Sequence, residues 1–220
     1  MNFLSHYYFD RETTNPEVVL GCVLPDLIRN ANKFWRIHPE KKAHLFSGQE
    51  KLESLLTGWK RHLTVDLYFH SSDFFIKHTA AIRKLIAPIL SGSQIRPSFL
   101  AHISLELMLD SLLIDSSLIN ASDFYDKIAH ADRKSLKRFL EINLITDTTV
   151  FFKFFDTFLE INYLHRYNES NNLVYALNRI CMRVWKDPLS EEEKFKMRAL
   201  LLDYQDALKT DFQTIFNYDL

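Results

Sequence analysis

The sequence is poor in the residues that break helices and form tight turns. Its 220 residues include only four glycines and six prolines, whereas average usage would give about fifteen and about eleven. Tight hairpin turns depend on glycine, so this scarcity argues against a fold of many short strands. We therefore predict an all-α fold, with residues 1–220 forming a single multi-helix domain.

Cysteine is scarce as well. Cys22 and Cys181 match neither a disulfide framework nor a Cys-x-x-Cys motif, a usage typical of a reducing compartment. Any metal ion must then be held by histidine and carboxylate. With 27 basic and 28 acidic side chains, the chain lacks the charge excess that supports binding to nucleic acid or to a membrane surface.

Long apolar runs are also missing. The most apolar stretch, residues 99–114, is shorter than the roughly 20 residues that a membrane span requires. The first ten residues show no basic region followed by an apolar run, as a signal peptide would. We expect a soluble, cytoplasmic protein that binds neither nucleic acid nor a membrane.

Helical periodicity and capping residues predict nine helices. Asn15 before Pro16 marks one start, and two capping boxes, Ser47 to Glu50 and Ser190 to Glu193, mark two others. The phenylalanine-rich stretch 148–167 is typical of a core helix. The predicted helices are 2–10, 16–30, 48–70, 73–89, 97–115, 122–142, 148–167, 171–186 and 190–216.

Two of these helices carry ionisable residues at four-residue spacing. In the apolar segment 99–114 these are His102, Glu106 and Asp110, which are costly to bury unless something pairs with them or a metal binds them. A second row is His62, Asp66 and His70. The alternatives are a structural polar network for the first row and a solvated helix face for the second.

Helix geometry limits what each row can do. A row is about 12 Å long and rotates by about 40° at each step. Neighbouring members can therefore share one ion, but all three cannot easily do so. The rows predict more than one metal ion, or one ion together with substrate contacts.

Two further residues are candidates from their local sequence. Pro25 should bend or break the helix before Asp26 and free this acid to point into a site; alternatively, Asp26 is a surface acid that begins a new turn. His6 lies in a short amphipathic start, where a lone histidine is more often an ordinary core or surface residue.

A local excess of positive charge follows Asp26. Residues 29–42 contain Arg29, Lys33 and Arg36, with two lysines beyond them and one glutamate. This pattern indicates either a docking patch for a phosphate-bearing or acidic partner, or an ordinary solvated loop.

Several of these motifs together resemble one family. Met-Asn-Phe-Leu-Ser-His6, Gly21-x-x-x-x-Asp26 and Gly58-x-x-x-His62-x-x-x-Asp66 resemble the acyl carrier protein phosphodiesterases over residues 1–115. The resemblance implies an HD-like helical bundle and Mn²⁺- or Mg²⁺-dependent hydrolysis of the bond that joins 4′-phosphopantetheine to acyl carrier protein. Fe and Zn²⁺ also suit imidazole and carboxylate ligands.

The residue type of the family is kept at four positions, His6, Asp26, His62 and Asp66. Elsewhere the sequence differs: His70 stands where the family has an acid, His102 and Glu106 stand where it has two aspartates, and Leu107 replaces a histidine. We predict a metal site formed by His6, Asp26, His62, Asp66, His102 and Glu106. His70 or Asp110 would hold these ligands in place or act as a general acid or base. Phosphate or partner contacts would come from Arg29, Lys33, Arg36 and Arg61. Hydrolysis of another phosphoester and a non-catalytic binding role are the alternatives.

Overall fold

The protein is built from α-helices, and the all-α prediction is confirmed. A computed structural model describes residues 1–167, 170–186 and 189–218, and these ranges contain no β-strand. Short 3₁₀ helices cover Pro39–Leu45, Tyr163–Arg166 and Phe212–Phe216. The α-helices are α1 (Phe3–Asp10), α2 (Pro16–Ala31), α3 (Glu50–Ser71), α4 (Asp73–Ile86), α5 (Pro97–Asp115), α6 (Ala121–His130), α7 (Arg133–Ile142), α8 (Thr149–Ile161), α9 (Ser170–Val184) and α10 (Glu191–Leu208).

The predicted helix 122–142 is two helices in the structure. The chain turns between α6 and α7, where the Asp132 side chain accepts a hydrogen bond from the Ser135 amide at 2.7 Å and so caps α7. The predicted helix 148–167 is also too long: α8 ends before Asn162, whose φ of 40° lies in the left-handed region. Local capping and a left-handed residue thus override the helical periodicity.

The predicted helix starts have different outcomes. The cap at Asn15 and the capping box at Ser190 are both confirmed. The box at Ser47 and Glu50 is wrong, because Gln49 precedes α3 and makes no side-chain capping hydrogen bond. The predicted break at Pro25 is also wrong, since α2 continues through it to Ala31.

Helices α2 and α3 touch backbone to backbone at two glycines. A Cβ atom on Gly21 would lie 2.3 Å from the Leu55 carbonyl oxygen, and one on Gly58 would lie 2.1 Å from the Val18 carbonyl oxygen. No larger residue fits such a crossing without separating the helices. The contact places His62, one helical turn beyond Gly58, directly beside α2.

Helix α5 is the apolar centre of the bundle. Among the described residues it alone is long and apolar enough to cross a membrane, but 61% of its apolar window is buried within the protein, so it packs as a core helix. Helix α8 buries Phe151, Phe155 and Phe158. The packing role predicted for this phenylalanine-rich stretch is thus confirmed.

Candidate metal centre

Helices α1 and α3 bring together His6, His62 and Asp66. Nε2 of His6 lies 3.2 Å from Oδ1 of Asp66, and Nε2 of His62 lies 3.6 Å from Oδ2. The two imidazole rings stack with their centres 3.8 Å apart. One donor atom from each residue lies within 4.8 Å of the others, close enough for all three to hold one metal ion. We call this group the inner triad.

A backbone carbonyl of α2 fixes the orientation of His62. Nδ1 of His62 lies 2.8 Å from the Cys22 carbonyl oxygen. A carbonyl oxygen only accepts hydrogen bonds, so Nδ1 carries a proton and Nε2 is the ring nitrogen that faces Asp66. Metal-binding histidines are commonly held by such a hydrogen bond on the second ring nitrogen.

His6 has no ordinary structural explanation for its burial. Its side chain has no exposed surface. In the described chain Nδ1 has no hydrogen-bond partner, and the one close contact of Nε2, with Oδ1 of Asp66 at 3.2 Å, lacks hydrogen-bond geometry. Burial, followed by the nearby His62, lowers the pKa of His6 to about 3, so its ring is neutral and can donate a lone pair. A buried polar group without a partner is costly. A divalent ion fits this donor set and would supply the partner.

A second group, His70, His102 and Glu106, lies beside the first. Nε2 of His102 is 3.0 Å from Nε2 of His70 and 2.9 Å from Oε1 of Glu106. These three residues also place one donor atom each within 4.8 Å of one another. The histidine side chains are about one third exposed, so solvent reaches this group. We call it the outer triad.

Both carboxylates of the triads are strongly acidic. Burial alone would raise the pKa of Asp66, but His6 and the Met1 amino group lower it well below its usual value. Burial likewise opposes ionisation of Glu106, whose pKa is lowered by the Met1 amino group and His102. Each triad therefore holds an ionised carboxylate at neutral pH.

The Met1 amino group lies between the triads. Its nitrogen is 2.7 Å from Oδ1 of Asp66 and 3.2 Å from Oε1 of Glu106. Burial lowers its pKa, but the charges of Glu106 and Asp66 outweigh this and raise it to about 10. The carboxylates of the two triads thus share one positively charged neighbour.

Asp26 belongs to the same electrostatic cluster. It is partly buried on α2, and burial raises its pKa to about 6, with His62 opposing the rise and Asp66 and Glu106 adding to it. At neutral pH it is mostly ionised. The six residues predicted as metal ligands are therefore gathered in one region, divided between two triads and Asp26.

Asp110 lies outside both triads. Its carboxylate is fully buried and accepts hydrogen bonds from the amides of Leu4 and Ser5, the Ser5 hydroxyl and the Asn2 side chain. Burial raises its pKa to about 7. These contacts cap the first turn of α1 from α5, so Asp110 positions the helix that carries His6.

The four predicted phosphate-binding residues fall into two groups. Arg61 forms an ion pair with Asp10, Nε to Oδ1 at 2.6 Å, and donates to the Phe9 carbonyl oxygen. It therefore ties α3 to the end of α1. The other three are exposed at or just beyond the end of α2: Arg29, Lys33 and Arg36.

The sequence reasoning did not identify two backbone contributors, the Cys22 carbonyl and the Met1 nitrogen. Backbone atoms leave no residue-type signature. The only available signal for Cys22 was the pair Gly21 and Gly58, which brings its carbonyl close to His62.

Comparison with protein-family models, curated proteins and solved structures finds no significant match.

Proposed function

We propose that the protein is a metal-dependent phosphodiester hydrolase whose inner triad holds a divalent ion. The observation that carries this proposal is the fully buried His6 ring, which stacks on His62: its Nδ1 has no hydrogen-bond partner in the described chain, and its Nε2 contacts only Asp66, at 3.2 Å. A hydrogen-bonded structural histidine would have a partner. A ligand histidine in a metal-free structure would not need one.

The donor set favours transition metals. Each triad offers two imidazole nitrogens and one carboxylate, a combination that suits Mn²⁺, Fe²⁺ or Zn²⁺ better than Mg²⁺. Such an ion would acidify a bound water and offset the negative charge of a phosphodiester. The protein keeps His6 neutral, fixes the tautomer of His62 through Cys22 and keeps Asp66 ionised.

Two features support a substrate with a charged, exposed phosphodiester: the solvent access of the outer triad and the exposed positive charge that follows Asp26 along the chain. The outer triad is open to solvent, and Arg29, Lys33 and Arg36 expose positive charge after Asp26 on the chain. Together with the sequence resemblance, this supports holo-acyl carrier protein as substrate. Water would add across the bond between phosphorus and the serine oxygen, releasing 4′-phosphopantetheine and the unmodified carrier serine.

The position of Met1 favours a second candidate, a non-catalytic helical binding protein. The Met1 amino group already gives Asp66 and Glu106 a cationic partner, so the cluster could serve as a buried polar network. This reading accounts for the carboxylates but leaves Nδ1 of His6 without a partner in the described chain. We therefore prefer the hydrolase.

Incubation with holo-acyl carrier protein and Mn²⁺ tests the proposal. We expect wild type to release phosphopantetheine, observed by mass spectrometry, and His62→Ala to be at least about 100-fold slower because it removes a metal ligand. The variant Arg29→Glu with Lys33→Glu should raise the KM for the carrier and leave that for a small phosphodiester unchanged.

His44→Ala is the matched control, because His44 is an exposed histidine outside both triads; it should cleave at the wild-type rate. Cleavage of only the small diester would exclude the carrier protein as substrate while retaining a phosphodiesterase. Equal release by wild type and His62→Ala would show that the inner triad is not the site.

A further inference from the structure

Three donor atoms of the outer triad lie close together. Nδ1 of His70 lies 2.8 Å from the Asp66 carbonyl oxygen, so this nitrogen carries a proton and the hydrogen bond leaves Nε2 as the ring atom that faces His102 and Glu106. Nε2 of His70, Nε2 of His102 and Oε1 of Glu106 converge within 3.5 Å of one another.

Two imidazole nitrogens and one carboxylate oxygen are the donor atoms that transition-metal ions commonly take in proteins. A cation at the centre of the triad satisfies all three donor atoms at once.

We propose that His70, His102 and Glu106 bind a second divalent transition-metal ion, distinct from the ion of the inner triad. The inference rests on the proposed function and extends it to a two-ion centre. Two imidazoles and a carboxylate form a known catalytic ligand set that leaves coordination positions open. His70 thereby becomes a metal ligand rather than the general acid or base expected from the sequence.

The two triads are close enough to act on one phosphodiester. His70 is anchored to the backbone of Asp66, a member of the inner triad, and the Met1 nitrogen contacts a carboxylate oxygen of each triad. In two-ion sites, one ion stabilises the attacking oxygen and the other stabilises the leaving oxygen. The carboxylates of the two triads are therefore linked through a single nitrogen atom.

The triads differ in exposure, which predicts their order of metal loss. The inner histidines are almost completely buried, whereas His70 and His102 are about one third exposed. An ion in the outer triad should therefore leave first during dialysis against a weak chelator. The inner ion should follow more slowly.

Zn²⁺ stoichiometry tests the two-ion proposal without relying on activity. After chelator treatment, reloading with Zn²⁺ and dialysis, elemental analysis should find two ions per wild-type chain. His102→Ala and Glu106→Gln should each retain one ion, as should His62→Ala through the other triad. His44→Ala should retain two, and circular dichroism should show that each variant is folded.

The possible failures are distinguishable. If wild type binds one ion that is lost in His62→Ala and kept in His102→Ala, the second ion is refuted and the hydrolase proposal stands. If wild type binds no ion, both proposals are wrong. Two ions in wild type that both persist in His102→Ala and Glu106→Gln would place the second ion elsewhere and overturn the assignment.

Discussion

His6→Leu is expected to abolish the stabilisation that the inner ion provides without destabilising the metal-free protein. In chelator, replacing a buried ring that has no hydrogen-bond partner in the described chain should leave the free energy of unfolding unchanged or raise it by about 1 kcal/mol. At a metal concentration 100 times the Kd of the inner triad, the ion should raise the free energy of unfolding of wild type by about 2.7 kcal/mol. The variant should lack that gain, as measured by urea unfolding with and without Mn²⁺.

The change in the free energy of unfolding in chelator distinguishes a ligand histidine from a structural one, because His6→Leu is neutral or stabilising in the first case and destabilising in the second. If His6 were part of a polar network, its replacement would cost about 1–3 kcal/mol in chelator, and Mn²⁺ would change wild type and variant equally. His44→Leu, at an exposed position, should respond to Mn²⁺ as wild type does. If Mn²⁺ raised the free energy of unfolding of His6→Leu as much as that of wild type, His6 would be excluded as a ligand.

Gly58→Ala is expected to lower the free energy of unfolding by about 3 kcal/mol, at the upper end of the usual range for overpacked sites. In an exposed helix the same change would stabilise by up to about 1 kcal/mol. Here the new Cβ would lie 2.1 Å from the Val18 carbonyl oxygen and 2.7 Å from the Cys22 nitrogen. Both are backbone atoms, so no side chain can rotate away and α2 must separate from α3.

Thr57→Ala is the matched control for this effect, because Thr57 is the exposed neighbour of Gly58 on α3. It should change the free energy of unfolding by no more than about 0.5 kcal/mol. Gly58→Ala should also weaken metal binding, since it moves His62 away from the carbonyl that orients it. Wild-type stability in Gly58→Ala would show that the helices do not cross as described.

Helix geometry allowed part of the site to be predicted from the sequence. The rotation of each row predicted that neighbouring members share an ion and that the third does not. In the structure the donor atoms group in the same way: Glu106 joins His102 while Asp110 turns towards α1, and His70 lies in a different group from His62. Four-residue spacing is local information, so the sequence contains it.

The pairing of the two rows was less accessible to sequence reasoning. It depends on how α3 and α5 pack, which side-chain patterns along one helix do not specify. Arg61 shows the same limit: its charge suggested a phosphate contact, but its neighbour in space is Asp10. Similarly, Asp26 remains inside α2 because neighbouring helices stabilise a helix that continues through Pro25.

Metal dependence of phosphodiester hydrolysis tests the central claim most directly. Wild-type protein stripped with EDTA and dialysed should show no cleavage of bis(4-nitrophenyl) phosphate, and added Mn²⁺ should restore it in wild type and in His44→Ala but not in His62→Ala. Hydrolysis that continues at the same rate in excess EDTA, or no hydrolysis by the Mn²⁺-loaded wild type of this diester or of holo-acyl carrier protein, would contradict the account.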